Sequence, residues 1–270
     1  MKAIIIGGGS IGQRHAGNLK SLGVDTRIVD IDEIETIDSI LNDGFDFGLV
    51  CSPNLYHIEH CTKLAEYNIP TFCEKPFYSD VDGVASLLKT VEEKKLITMV
   101  AANLRFAEEV KSIDSTASYI NVHFGYDLKK WRPDSDHLLS YSANKALGGG
   151  ILLDAIHELD YLYFKFGKIQ DIFYNKSKLT NITNDTEDLV VGRIYFESGT
   201  IADFSLNYLA EDYQRYYEIL EDGVLKRRNI NISNQMYIDE MTYFVDCVKS
   251  NVPAMNDFAE ANGLLAKILN

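Results

Sequence analysis

This chain is poor in the residues that stiffen or staple a fold: its 270 residues include five prolines, one tryptophan and four cysteines. Cys51, Cys61, Cys73 and Cys247 form no C-x-x-C pair and no tight group with histidine. That spacing argues against a disulfide framework and against structural zinc. It fits the reduced, mostly buried thiols of a cytoplasmic protein with no metal site. Positive charge is scarce as well. Lysine and arginine number 26 against 40 acidic residues, a formal net charge of −14, so neither nucleic acid nor an anionic membrane meets a favourable overall field. No apolar run approaches the roughly 20 residues of a membrane-spanning helix. Met1-Lys2 leads straight into an apolar segment, leaving no room for a signal peptide. The motifs G-x-x-x-x-G-K-S/T, H-E-x-x-H and G-x-S-x-G are missing, which disfavours P-loop, zinc-protease and serine-hydrolase chemistry. With 46% hydrophobic and 24% charged residues, what remains is an ordinary globular composition, enough for one large domain or two modest ones.

What the chain does have is concentrated at its start. Lys2-Ala3-Ile4-Ile5-Ile6 reads as a strand buried on both faces, as in a parallel sheet, and breaks into Gly7-Gly8-Gly9-Ser10-Ile11-Gly12. Gly7, Gly9 and Gly12 carry the G-x-G-x-x-G spacing: the first permits a tight turn, the second lets backbone approach a pyrophosphate, and the third lets the next helix pack close. A helix-like stretch from Gln13 to Leu22 follows. Its N-terminal N–H groups, with Ser10 and Ile11 in the loop itself, are expected to face the anion. A second strand, Thr26 to Val29, ends in Asp30, which lies 30 − 12 = 18 residues past the last glycine, close to where a ribose-binding carboxylate belongs. Asp30 would accept hydrogen bonds from ribose hydroxyls and repel a 2′-phosphate. No arginine immediately follows it, so NAD(H) is expected in preference to NADP(H). The plainer alternative is a glycine-rich turn in an unrelated α/β domain.

Strand-like and helix-like stretches alternate onward to Ala101, with strands at Phe47 to Cys51, Thr71 to Cys73 and Leu96 to Ala101. This predicts an α/β fold, an N-terminal Rossmann-like, doubly wound parallel sheet over residues 1–103. Ligands in such sheets bind beyond the carboxyl ends of the strands, and Gly7, Asp30, Ser52, Asn54, Glu74 and Lys75 all fall there. Beyond Asn103 the pattern turns to half-buried alternation, as in Tyr119 to Phe124 and Phe204 to Tyr208, with hairpin-turn chemistry at 197–200 and 221–223. An α+β domain with a mainly antiparallel sheet is therefore expected over 104–270. A helix from Ile151 to Phe166 is embedded in it, another runs from about Gln235 to Lys249, and a last helix is placed to return to the first domain.

Glu74-Lys75-Pro76 follows a strand end directly. Pro76 forces an extended conformation on Lys75 and cannot continue a ladder, which holds the lysine at the sheet edge. A lysine there can contact a substrate hydroxyl and, if partly desolvated, take part in proton transfer; a solvated loop lysine is the plainer reading. Asp154 and His157 stand three apart on the expected helix, with Asp160 continuing the row. An acid beside an imidazole suits a general acid/base, whereas a helix-face ion pair is the commoner fate of such residues. His57, one turn beyond Asn54, is expected near the nicotinamide. Lys129, Lys130, Arg132 and Arg105 can hold an anionic substrate locally, around Trp131.

Taken in order, Gly7 to His15, Cys51-Ser52-Pro53-Asn54 with His57, Cys73-Glu74-Lys75-Pro76, Asn103-Leu104-Arg105-Phe106, Trp131-Arg132-Pro133 and Gly148 to Tyr161 resemble the Gfo/Idh/MocA family, the relatives of glucose–fructose oxidoreductase and inositol dehydrogenase, over essentially the whole chain. The resemblance implies an NAD(H)-dependent oxidoreductase that transfers a hydride to or from a secondary alcohol or ketone of a sugar or nucleotide-linked sugar. It implies that Lys75 and His157 contact the substrate hydroxyl, His157 as acid/base, with Asp154 assisting. The stretch from Leu147 to Tyr161 looks most like a branch associated with surface-polysaccharide or nonulosonic-acid synthesis. A homo-oligomer, dimer or tetramer, is expected. Two departures stand out. The acid and histidine are 157 − 154 = 3 apart where many members have four, and only 14 residues separate Asp32 from Phe47, too few for the extra strand and helix usual there. A non-catalytic, NAD(H)-binding sensor or scaffold is the alternative reading.

Overall fold

A computed structural model of the chain describes residues 1–131, 133 and 136–269. They divide into two compact units, one formed by Met1–Asn103 with Ser233–Asn262 and the other by Leu104–Ile232 with Gly263–Asn270.

In the first unit β1 (Lys2–Ile6), β2 (Asp25–Val29), β3 (Phe47–Val50), β4 (Thr71–Cys73) and β5 (Thr98–Val100) form one parallel sheet in the order β2-β1-β3-β4-β5. The β-branched run Ile4-Ile5-Ile6 is almost wholly buried. It suits a pleated strand covered on both sides, where each such side chain contributes about 1.5–3 kcal/mol on burial. The connections are α1 (Ser10–Ser21), α2 (Ile37–Leu41), α3 (His57–Glu66) and α4 (Val84–Lys94). Because β1 lies between β2 and β3, the chain leaves it in opposite directions on its two sides. This makes the carboxyl ends of β1 and β3 the point where a ligand crevice opens.

In the second unit α5 (Glu108–Lys111) precedes β6 (Tyr119–Gly125), α6 (Leu128–Trp131), α7 (Ile151–Asp154) and α8 (Ile156–Phe166). Strands β7 (Ile169–Ser177), β8 (Leu189–Phe196), β9 (Ile201–Asn207), β10 (Gln214–Glu221) and β11 (Val224–Asn229) complete a six-stranded sheet in the order β11-β10-β6-β9-β8-β7. Every pairing is antiparallel except β6 with β9. Alternation along β6 and β9 buries Ile120, Val122, Phe124, Ala202, Phe204 and Leu206 on one face, where the core also takes in Leu159, Leu162 and Phe166 of α8.

The chain then contributes α9 (Asn234–Ser250) and the first turn of α10 (Phe258–Leu269) to the first unit. The return expected of the last helix is thus made mainly by α9. Its Phe244 packs edge-on against Phe47 and Phe72, and its buried Glu240 accepts the Ala102 N–H at 2.5 Å. The outer edge of β5 is closed by Asn256, whose carbonyl accepts from Val100 N at 2.8 Å and whose side-chain amide donates to Val100 O at 2.9 Å. Asn256 holds this position at φ 50°, a left-handed conformation that asparagine tolerates and alanine does not. Asn256→Ala is expected to destabilise the protein by on the order of 2 kcal/mol, from backbone strain plus one lost hydrogen bond. Asn256→Gly should lose less. Urea unfolding midpoints check the order, and an Asn256→Ala midpoint equal to that of the unaltered protein would refute it.

Candidate active site

The glycine loop is built around two approaches that leave no room for a side chain. Gly7 has φ +108°, and a Cβ there would stand 2.6 Å from the Cys51 carbonyl carbon and 2.7 Å from the Ser52 nitrogen. A Cβ on Gly12 would meet the Gly7 carbonyl oxygen at 2.0 Å. The two glycines therefore press the turn after β1 against the end of β3 and the first turn of α1 against that turn. Gly9 is different: nothing lies within 4 Å of the place its Cβ would occupy. It is exposed and precedes α1, whose first turn holds no acidic residue. With Ser10 exposed and Ile11 half-buried beside it, the loop offers open backbone N–H groups to an anion.

Asp30 follows β2 directly and its carboxylate lies against the loop, with Oδ2 2.6 Å from where a Gly8 Cβ would be. Arg27, the basic residue within β2, is ion-paired with Glu33, so its guanidinium is already engaged by a carboxylate. Cradle, helix terminus and acid fit a dinucleotide whose ribose carries free hydroxyls.

At the end of β3 the Ser52 hydroxyl pairs with His60 Nδ1 at 2.8 Å, and Asn54 is buried. At the end of β4 Glu74 is buried, with one oxygen 2.7 Å from His15 Nε2 and the other accepting the Lys75 N–H at 3.2 Å. Burial pushes the Glu74 carboxyl up, but the His15 hydrogen bond and charge, with Lys75, outweigh it and hold the group below its ordinary value. The bond between Lys75 and Pro76 is cis. Of the residues described from 71 to 78, Lys75 alone is not buried.

The His57 ring lies beneath the strand-end loops rather than open to them. It is fully buried, with Nδ1 2.8 Å from the Pro76 carbonyl oxygen and Nε2 2.8 Å from that of Ser52. The residue expected near the nicotinamide thus has a backbone carbonyl facing each ring nitrogen, one of which the neutral ring can donate to.

In the second unit the expected single helix from Ile151 to Phe166 is two. Ala155, at φ −97° and ψ 26°, ends α7, and its carbonyl accepts from Glu158 N, three residues on, at 3.2 Å. Asp154 and His157 consequently lie on different helices and lose the regular three-residue relation. Asp154 is buried and accepts from the Tyr208 hydroxyl at 2.6 Å. Burial, with the Asp154 charge, pushes that phenol well above its usual pKa, so Tyr208 remains the donor. Of the residues described from 151 to 162, His157 alone is not buried. Its neighbour Glu158 is fully enclosed and ion-paired with Arg215 at 2.7 Å, and the Arg215 guanidinium lies 4.5 Å from the Phe124 ring centre.

Arg105, expected to hold an anionic substrate, is engaged within its own unit. It is buried and forked onto Asp160 at 3.0 and 2.8 Å, with Phe164 covering it at 4.7 Å. A guanidinium in such a place needs its carboxylate. Trp131 is half-buried among aromatic rings, 5.4 Å from Phe124 and 6.2 Å from Tyr208, which is the residue that holds Asp154. Lys130 lies 3.6 Å from Glu211, and Arg132 falls outside the described residues. Among the described residues no group of three or more potential ligands is placed to hold a metal ion. The residues missed from the sequence are His15, Tyr208 and Arg215. Only His15 carried a signal, as the residue next to Arg14 at the end of the glycine motif.

Residues 25–102 match the oxidoreductase family with an NAD-binding Rossmann fold, and residues 116–225 match the GFO/IDH/MocA C-terminal domain. The chain belongs to the GFO/IDH/MocA family. Its first unit is the family's NAD-binding fold, and the cofactor is NAD(H). A myo-inositol 2-dehydrogenase of Thermotoga maritima is 25% identical over 207 residues, 67% of this chain and 60% of the relative. An inositol 2-dehydrogenase of Rhizobium meliloti is 29% identical over 119 residues, 38% of this chain and 36% of the relative. These matches thus span between about a third and three fifths of the relatives' length. The crystal structure of GenD2 from gentamicin A biosynthesis, in complex with NAD, shares the fold with a TM-score of 0.85 at 19% identity, covering 100% of this chain and 92% of that one.

Two glycine variants separate the roles of the cradle. Gly9→Ala should fold normally and weaken NADH binding, whereas Gly12→Ala should lower the melting temperature because its methyl group has nowhere to go. Melting curves and NADH fluorescence titration read both, and a Gly12→Ala protein as stable as its parent contradicts the close approach. Acid unfolding tests Glu74. With a folded pKa below its unfolded one, its stabilising contribution is present above the ordinary carboxylate range and lost as pH falls through the folded value. Glu74→Gln should lower stability at neutral pH and flatten its decline on acidification.

Proposed function

We propose that this GFO/IDH/MocA family member is an NAD(H)-dependent dehydrogenase or reductase acting on a secondary alcohol or ketone of a sugar, cyclitol or nucleotide-linked sugar. The observation that carries the reading is Lys75: a lysine left partly open between buried Glu74 and Pro76, in the same row of strand ends as the dinucleotide cradle. Bound NAD(H) supplies the carrier for two electrons and a proton equivalent, and everything else falls to side chains. The Lys75 ammonium donates to the substrate oxygen and stabilises its developing negative charge. His157 takes the hydroxyl proton in oxidation and returns it in reduction, and Asp154, held by Tyr208, supports it. Lys75 belongs to the first unit and His157 to the second.

The protein is further proposed to be cytoplasmic and to assemble as a dimer or tetramer. Four buried free cysteines support the first. The second is supported by the apolar side chains Phe173 and Val191, 63% and 41% exposed on neighbouring strands of the six-stranded sheet. The alternative of a cofactor-binding sensor draws on the helix break between Asp154 and His157.

Purified protein with NAD⁺ or NADH is to be screened against inositols, hexoses and nucleotide sugars by absorbance of NADH. Turnover of one class is expected, with His157→Ala and Lys75→Met each losing on the order of 10²-fold or more while still binding NADH. Asp30→Ala should erode the preference for NADH over NADPH. Clear NADH binding with no turnover on any sugar would select the sensor.

A further inference from the structure

His57 is a fully buried imidazole whose two nitrogens both face backbone carbonyls, and the two carbonyls belong to different strand-end loops. Ser52 follows β3, where the backbone touches Gly7, and Pro76 follows Lys75 at the end of β4. Carbonyl oxygens only accept, so the ring is the donor in this trio. Either neutral tautomer donates to one carbonyl, and the protonated ring donates to both. Burial pulls the His57 pKa below the ordinary value. The two carbonyls and the Glu74 carboxylate pull it back, while the Lys75 charge adds to the effect of burial. The segment is held on its other side too, since Glu74 is gripped by His15 of α1. Lys75 therefore stands between two neighbours that histidines from two different helices tie down.

We propose that His57 is a positioning residue: it touches neither cofactor nor substrate but donates its ring N–H to the Pro76 carbonyl, with its other nitrogen facing the Ser52 loop, and so fixes where Lys75 presents its ammonium relative to the dinucleotide loop. The reading rests on the role of Lys75 proposed above in its catalytic consequence, though not in its geometry. A lysine has a long flexible side chain, so its aim depends on how well its backbone is fixed. A misplacement of about 1 Å at such a group can cost on the order of 10²-fold in rate.

The geometry is tested without any reaction by competitive acetylation with acetic anhydride, comparing Lys75 with exposed Lys89 by mass spectrometry. In His57→Ala the relative rate at Lys75 should rise severalfold, and His57→Gln, which restores one donor, should bring it most of the way back. An unchanged Lys75 rate in His57→Ala overturns the proposal. Should the alanine variant fail to fold, the glutamine variant is compared directly with the unaltered protein. The ring itself gives a reading that needs no variant. A buried imidazole N–H held on a backbone carbonyl exchanges slowly and gives its own proton resonance, and a freely exchanging His57 ring overturns the proposal. With a sugar that is turned over, His57→Ala should lower kcat in the wild-type background and cost nothing further in Lys75→Met. Equal losses in both backgrounds mean that His57 does not act through Lys75. A Lys75→Met enzyme of full activity removes the catalytic role of Lys75 and leaves the acetylation result standing on its own.

Discussion

The first unit depends on how closely the backbone leaving β1 approaches the backbone leaving β3. Gly7 lies where a single methyl group would collide with the Cys51 carbonyl and the Ser52 nitrogen, and Gly12 lies equally hard against Gly7. These approaches bring the first turn of α1, the loop and the end of β3 into one surface. They also place Ser52 so that the His57 ring lies between its carbonyl and that of Pro76, in the segment that carries Lys75. A larger residue at Gly7 or Gly12 would loosen the cradle and the lysine together. Gly9, where space is open, bears on the ligand alone.

A second constraint is charge. With 40 acidic against 26 basic residues, every cation drawn into the interior leaves fewer at the surface. The second unit buries two of them, Arg105 on Asp160 and Arg215 on Glu158. Such pairs roughly offset their own desolvation, and breaking either by removing one partner costs about 3–5 kcal/mol. They lock the helix carrying His157 into the unit from both sides of its sequence, because Glu158 and Asp160 both belong to α8. Their cost is that both guanidinium groups are committed to carboxylates of α8.

The sequence revealed most where local pattern and tertiary role coincide. Ile4-Ile5-Ile6 followed by spaced glycines has few other uses, and the strand ends at Asp30, Ser52 and Glu74 could be placed because each apolar run stops there. It misled where burial is set by partners far away in the chain. Ile151 to Phe166 carries an unbroken apolar periodicity, since α7 and α8 both bury the same kind of side chain, and nothing local marks Ala155 as the break. Arg105 looked available because its partner Asp160 is 160 − 105 = 55 positions on. His57 looked like a ligand contact because it falls one turn past Asn54, and only the fold brings the Pro76 carbonyl to its other nitrogen. Strands β7, β8, β10 and β11 were not read individually, and in β11 exposed residues such as Leu225 and Arg228 fall on both faces, so no alternation marks it.

The same logic accounts for the two residues on which the chemistry is placed. Lys75 and His157 are each the partly open residue in a buried run, and each has a carboxylate as its chain neighbour, Glu74 before the lysine and Glu158 after the histidine. A carboxylate beside a proton-transferring group is a liability if it is left to wander, for it would capture the ammonium or hold the imidazole charged. Both are instead buried and bound elsewhere, Glu74 to His15 and Glu158 to Arg215. Fixing these neighbours keeps each carboxylate from competing with a substrate for the group proposed to act on it. The two units thus solve the same problem with different partners, and in both the solution lies one residue away from the group it serves.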